Sequence, residues 1–409
     1  MTVYGFRDLI ARAAEKAIPL DVQIELTSHC NFRCVHCYIP DFHAPDLLST
    51  DRILRLLEEL VEMGTLFLTL TGGELFLRRD WFVIARRARE LGFSLRLFTN
   101  ASLIDDTVAD QIRTLNAVVE VSLYSMRPEV FERITQRPGS FARTLQGIER
   151  LRARGVDVVL KIPLMRYNYR DLREVIAYAQ RIGASYQAFH KIVHRKNGDP
   201  HPIALRVPHV QMVPLFGGPY TGCTHPTTNS RDPRWDGPLC AAGTRYCHIT
   251  AQGDVLACNI LPVPAGNIRE KSFREIWERS PWLQKIRSIR RKDLTVCGSC
   301  EKLFYCGRCH AQALIEEGDL LAPTAWSCEQ AAIADALNAE RNGVTGEIGP
   351  DHRCRRCGAP DWYVHPDGIR RCWTCSPPEC EVCHRKIRKS RSVVRWHRGR
   401  PSFCHDTCG

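Results

Sequence analysis

Three cysteines at CxxxCxxC spacing, Cys30, Cys34 and Cys37, follow directly on an apolar-polar alternation, Val22-Gln-Ile-Glu-Leu26. Three thiolates on one short loop can hold three irons of a [4Fe–4S] cube and leave the fourth iron open. An open metal position is what catalysis needs, whereas structural sites are closed. A second strand candidate ends in Thr71-Gly72-Gly73-Glu74. There, two residues without Cβ let backbone approach a ligand, and a carboxylate follows that can take an ammonium group. Together these suit an amino-acid-bearing small molecule that chelates the open iron.

The elements that must position these residues alternate. Strand candidates at Val22–Leu26, Leu66–Thr71, Ser94–Thr99, Val118–Tyr124, Val156–Pro163 and Tyr186–His194 are separated by helical patterns at Thr50–Met63, Asp80–Leu91, Asp105–Leu115, Pro128–Ile134 with Phe141–Arg154, and Tyr169–Ile182. An N-terminal helix over roughly Thr2–Ala17 precedes them. Strand followed by helix, repeated six times, predicts parallel strands with right-handed crossovers. The fold class is therefore α/β, a partial (β/α)6 TIM-like barrel over 1–196, with ligands at the C-terminal strand ends. Gly64, Gly92, Gly155 and Gly183 fall where left-handed helix caps are needed.

From Asn197 the text turns Pro- and Gly-rich and carries nine cysteines up to residue 339, so ligands organise it more than a hydrophobic core does. The expected divisions are 197–340 as a small cysteine-rich α+β domain, a polar linker, and 351–409 as a basic, doubly zinc-binding module. Twenty cysteines, no apolar run of membrane length and no export signal predict a cytoplasmic protein with metal-bound thiols rather than disulfides. The net charge of +12 is concentrated in the tail, where residues 351–409 hold 13 Lys+Arg against 6 Asp+Glu. Its clusters Arg385-Lys-Ile-Arg-Lys389 and Arg395–Arg400, with Trp396, leave a nucleic-acid contact open without favouring it. Cys354, Cys357, Cys372 and Cys375 form one four-thiolate set, and Cys380, Cys383, Cys404 and Cys408 another; both read as closed zinc sites.

CxxxCxxC after the first strand and GGE after the second resemble the radical S-adenosylmethionine (SAM) enzymes. The resemblance implies that Cys30, Cys34 and Cys37 hold a catalytic [4Fe–4S] cluster and that His36 lies against the SAM adenine. Gly72, Gly73 and Glu74 would receive the methionyl ammonium. Asn100 and Ser122 would contact ribose and carboxylate, and Arg137 and Lys161 are weaker candidates. The later order Cys240, Gly253-x4-Cys258, Cys297-x2-Cys300-x5-Cys306 and Cys328 is similar to the SPASM extension of that family, which usually carries two auxiliary clusters. On that likeness Cys297, Cys300, Cys306 and Cys328 form a distal set. Cys240, Cys258 and Cys309 form a proximal one, completed by Cys247 or Cys223. Cys306 and Cys309 enclose two residues where the family usually has three. Asn259 stands where sulfatase-maturing members usually have an acid, which argues against that activity.

The expected function is hydrogen abstraction by a 5′-deoxyadenosyl radical from a peptide or protein side chain, with flavodoxin or ferredoxin as electron donor. The alternatives are a cofactor-biosynthesis enzyme acting on a tetrapyrrole carboxylate, with Lys161, Lys191 and Arg195 as cations, and a nucleic-acid-binding scaffold with structural clusters.

Overall fold

A computed structural model describes residues 6–209, 211, 238–300, 302 and 306–341, together with strands 362–364, 370–372, 392–397 and 400–405 of the tail. The chain divides into two compact units, 1–206 with 236–291, and 207–235 with 292–409.

The first unit is built on one sheet. Its strands are β1 (Asp21–Glu25), β2 (Phe67–Thr71), β3 (Ser94–Thr99), β4 (Val118–Ser122), β5 (Val158–Pro163), β6 (Ser185–Phe189), β7 (Tyr246–Ile249), β8 (Asp254–Leu256) and β9 (Pro264–Asn267). Spatial order is β6-β5-β4-β3-β2-β1-β7-β8-β9. Neighbours from β1 to β6 pair in parallel, as six strand-helix units require. The helices are α1 (Phe6–Glu15), α2 (Thr50–Glu62), α3 (Trp81–Glu90), α4 (Asp106–Leu115), α5 (Pro128–Thr135), α6 (Ser140–Ala153), α7 (Leu172–Arg181), α8 (Phe273–Arg279) and α9 (Pro281–Ser288).

Polarity alternates along the central strands. Val22, Ile24, Leu68, Leu70, Val119, Val121, Leu160 and Ile162 are fully buried and face away from the cavity. Gln23, Thr71, Glu120, Ser122 and Lys161 instead line it. A period of two thus puts an apolar face toward the crossover helices and a polar face toward ligand space. Local signals set the helix ends: Asp105 accepts a hydrogen bond from Val108 N at the start of α4 (2.8 Å). At the helix ends Gly64, Gly92, Gly155 and Gly183 adopt φ between 65° and 90°.

The sheet does not stop at residue 196. β7 lies parallel to β1 (Val22 opposite Cys247), and β8 and β9 add antiparallel strands, so 246–267 continue the barrel sheet. The expected boundary at 196/197 therefore differs from the division the fold makes. Backbone pairing across more than 200 residues ties the first cysteine-rich segment to the barrel.

The second unit contains α10 (His310–Glu317), α11 (Ala325–Arg341) and two antiparallel hairpins in the tail, β10 (Trp362–Val364) with β11 (Arg370–Cys372) and β12 (Ser392–His397) with β13 (Arg400–His405). Cys223, Cys354, Cys357, Cys375, Cys380, Cys383 and Cys408 lie outside the described residues, as do Arg385–Lys389. Cys372 and Cys404 sit in strands described by backbone alone. No helix among the described residues is long and apolar enough to cross a membrane.

Candidate active site

The cysteine loop is sewn in place by backbone. Thr27 O and His29 O accept from Gly73 N (2.8 Å) and Glu74 N (2.7 Å), joining the loop to the end of β2. On the other side Arg33 N and Val35 N donate to Thr135 O and Ile134 O at the end of α5 (3.0 and 2.9 Å). Phe32, buried to 1% exposure, anchors the middle of the loop. The glycines are obligatory here: a Cβ on Gly73 would stand 2.3 Å from His29 O, and one on Gly72 would stand 2.7 Å from Thr27 O.

Above the strand ends lies a cavity of about 300 Å³, lined by Cys30, Cys34, Cys37, His36, Gly72 and Gly73 among others. Burial pushes the thiols up, Cys30 to about 12 and Cys37 to about 11, and raises Cys34 further still. The neighbouring cysteines' own charge adds to the rise for each of Cys30 and Cys34. Thiolates so disfavoured form only against strong positive charge, and iron supplies it. Among the described residues no three such side chains converge on a single metal ion. Three thiols lining one cavity are the donor set that a [4Fe–4S] cube takes at three of its corners.

His36 also fits the cofactor expected of it. Burial lowers its pKa to about 4, keeping the ring neutral, and Nδ1 is buried with no hydrogen-bond partner. Its ring meets Tyr124 edge to face at 5.2 Å. A neutral aromatic ring with one unspent nitrogen is suited to a nucleobase.

Glu74 departs from expectation. Its carboxylate is fully buried and does not line the cavity. Oε1 accepts from Thr99 Oγ1 (2.7 Å) and Phe76 N (3.3 Å), and Oε2 from Asn100 N (2.8 Å). Burial raises its pKa to about 7 even so. It is a strut between the ends of β2 and β3, and the backbone of Gly72 and Gly73 is what faces the cavity. Asn100 lines the cavity, but Nδ2 is spent on Asn31 of the cysteine loop (2.8 Å) and Oδ1 on Ser102. Ser122 lines it beside Tyr124. Arg137 lies in a separate shallow recess with Cys30 and Arg33. Lys161 faces the main cavity, ion-paired with Glu120 (2.8 Å).

Sequence reasoning missed Tyr38, Phe98, Tyr124, Phe189 and the lining role of Asn259. It also missed a buried ion network: Glu25 Oε1 meets Lys196 Nζ (2.8 Å) and His248 Nε2 (3.0 Å), linking β1 to β7. Burial alone would raise the Glu25 carboxyl, but His248 and Lys196 outweigh it and hold it at about 2. The available signal was a glutamate at the end of an otherwise buried strand.

In the second unit, Cys297, Cys300, Cys306 and Cys328 stand together. Each of Cys306 and Cys328 is raised first by burial, to about 11 and about 12, then by the charge of the other thiols, Cys297 and Cys300 among them. Cys309 directly precedes α10. Cys240 and Cys258 belong to the first unit and Cys309 to the second. Cys247 is fully buried in β7, and the charged groups acting on it are Asp21 and Arg287.

Comparison with known proteins agrees with this architecture. The Radical SAM superfamily matches residues 24–179, and the SPASM iron–sulfur cluster-binding domain matches 240–301. An AdoMet-dependent heme synthase of Methanosarcina barkeri is 29% identical over 329 residues, covering 73% of this chain and 93% of that protein. A PqqA peptide cyclase of Granulibacter bethesdensis is 24% identical, covering 83% and 95%. The crystal structure of Streptococcus suis SuiB bound to S-adenosylmethionine superposes with a TM-score of 0.61 at 17% identity, over 80% of this chain and 84% of that one. Iron–sulfur and SAM binding follow from the two matched domains. The chain belongs to the radical SAM superfamily, as an enzyme that carries a SPASM iron–sulfur domain.

Proposed function

We infer that the enzyme abstracts hydrogen from the side chain of a peptide or protein. The observation that carries this reading is the cavity wall: Phe32, Phe98, Tyr124 and Phe189 line it, and the Lys161 that faces it is already ion-paired with Glu120, so it suits an inserted side chain better than a polycarboxylate. The relative named PqqA peptide cyclase is in keeping with it.

Cys30, Cys34 and Cys37 would hold the catalytic cluster, and the Gly72–Gly73 backbone and the His36 ring would hold SAM. When bound, this pair supplies a one-electron reductive cleavage that yields a 5′-deoxyadenosyl radical. The chain's own residues orient and shield that event. Phe32, Phe98, Tyr124 and Phe189 give the cavity apolar walls that limit water. Glu74 and Asn100 fix the strand-end loops against which SAM would rest. Cys297, Cys300, Cys306 and Cys328 would close an auxiliary cluster on protein alone. The tail cysteines would bind two zinc ions, the electron would come from a flavodoxin or ferredoxin, and the compartment would be cytoplasmic.

A second reading, action on a tetrapyrrole carboxylate, is favoured by the heme synthase relative. Against it, Lys161 is already neutralised by Glu120. The test is anaerobic turnover with SAM and dithionite, offering in parallel short peptides encoded beside the gene and tetrapyrrole carboxylates. A peptide mass change with matching 5′-deoxyadenosine supports the inference; decarboxylation of the tetrapyrrole with unaltered peptides overturns it.

A further inference from the structure

Arg308 lies between Cys306 and Cys309 and is unusually well held for a surface-type side chain. Nε donates to Ala322 O (3.0 Å), and Nη2 donates to Ala322 O (2.8 Å) and to Leu320 O. Those bonds fix the guanidinium plane. Nη1 is buried and has no hydrogen-bond partner. The groups around it that can carry negative charge are Cys297, Cys306, Cys309 and Asp319, and Arg308 in turn favours the Cys297 thiolate.

A cation taken partly out of water, with one donor unspent, is costly unless an anion completes it. Neutral thiols do not. Four thiolates around an iron–sulfur group do, because such a group carries net negative charge and gains one more on reduction. Hydrogen bonds and positive charge at the sulfurs stabilise the reduced form and raise the potential.

We propose that Arg308 is a positioning residue that raises the reduction potential of the iron–sulfur group held by Cys297, Cys300, Cys306 and Cys328, through a hydrogen bond from Nη1 to its sulfur. The proposal rests on the reading of those four cysteines as cluster ligands, and the experiment separates the two. The full-length chain carrying Cys30→Ala, Cys34→Ala and Cys37→Ala is reconstituted anaerobically and titrated with reductant under EPR. The distal signal is identified as the one that Cys300→Ala removes. Arg308→Gln should lower the equilibrium constant for its one-electron reduction about tenfold or more, which is about 59 mV for such a couple. Arg308→Lys, which keeps charge but loses the fork, should fall between. An unchanged potential in Arg308→Gln with iron content intact overturns the proposal. So does loss of the distal iron in both variants at unchanged circular dichroism, which would make Arg308 a clamp on the 320–322 loop. Absence of any signal sensitive to Cys300→Ala overturns the ligand reading itself, and the proposal with it.

Discussion

Two cysteine sets in this chain are built differently. Cys30, Cys34 and Cys37 stand at a strand end, line a cavity, and are the three cysteines in its lining. Cys297, Cys300, Cys306 and Cys328 lie on short turns and helix ends, feel one another's charge, and have a fixed guanidinium beside them. As proposed, the first arrangement would leave one iron open to an exogenous ligand and the second would close its cluster on protein, so both the number of thiols and what surrounds them separate a reactive cluster from a conducting or structural one.

Breaking each set in turn should give the largest contrast. Cys34→Ala should reduce SAM cleavage to background, whereas Cys300→Ala should lose auxiliary iron and still form 5′-deoxyadenosine. Equal loss from both would erase the distinction drawn here. The next effect concerns what holds the catalytic set in place. Glu25→Gln leaves Lys196 buried without its anion and should cost about 3–5 kcal/mol in chemical denaturation. The carboxyl's pKa lies below its unfolded value of 4.5, so its stabilisation is present above pH 4.5 and is lost as pH falls toward 2. The variant should therefore lose part of the wild-type acid sensitivity in that window, and an unchanged acid profile would contradict the network.

Smaller effects sharpen the cavity side. Gly73→Ala forces a Cβ against His29 O and should cost about 1–3 kcal/mol, with weakened SAM binding by calorimetry. Glu74→Gln should cost about 1 kcal/mol of stability and change SAM affinity little, because the carboxylate serves Thr99 and Asn100. A tenfold or greater loss of affinity would return Glu74 to the role of ammonium ligand.

Much of this was legible in the chain. The first five parallel strands fall within two residues of their expected places, because polarity alternates while Gly64, Gly92, Gly155 and Gly183 punctuate the helices, whereas β6 ends at Phe189, five residues before the expected His194. CxxxCxxC and Gly72-Gly73 point to the cavity because local spacing determines their placement. What was not legible depends on distant partners. The pairing of β1 with β7 joins residues more than 200 apart, and no local pattern in Tyr246–Ile249 reveals its neighbour. The direction of Glu74 depends on where the end of β3 lies. Arg308 reads as one more surface arginine until the carbonyls of Leu320 and Ala322 fold around it.

The central claim is that the set with three thiols is the reactive one. Anaerobic reconstitution of the full chain with iron and sulfide, followed by dithionite and SAM, tests it through 5′-deoxyadenosine measured by mass spectrometry. It should form with the wild type and be absent from Cys30→Ala/Cys34→Ala/Cys37→Ala that retains auxiliary iron. Formation by that variant, or none by fully loaded wild type, would contradict the account.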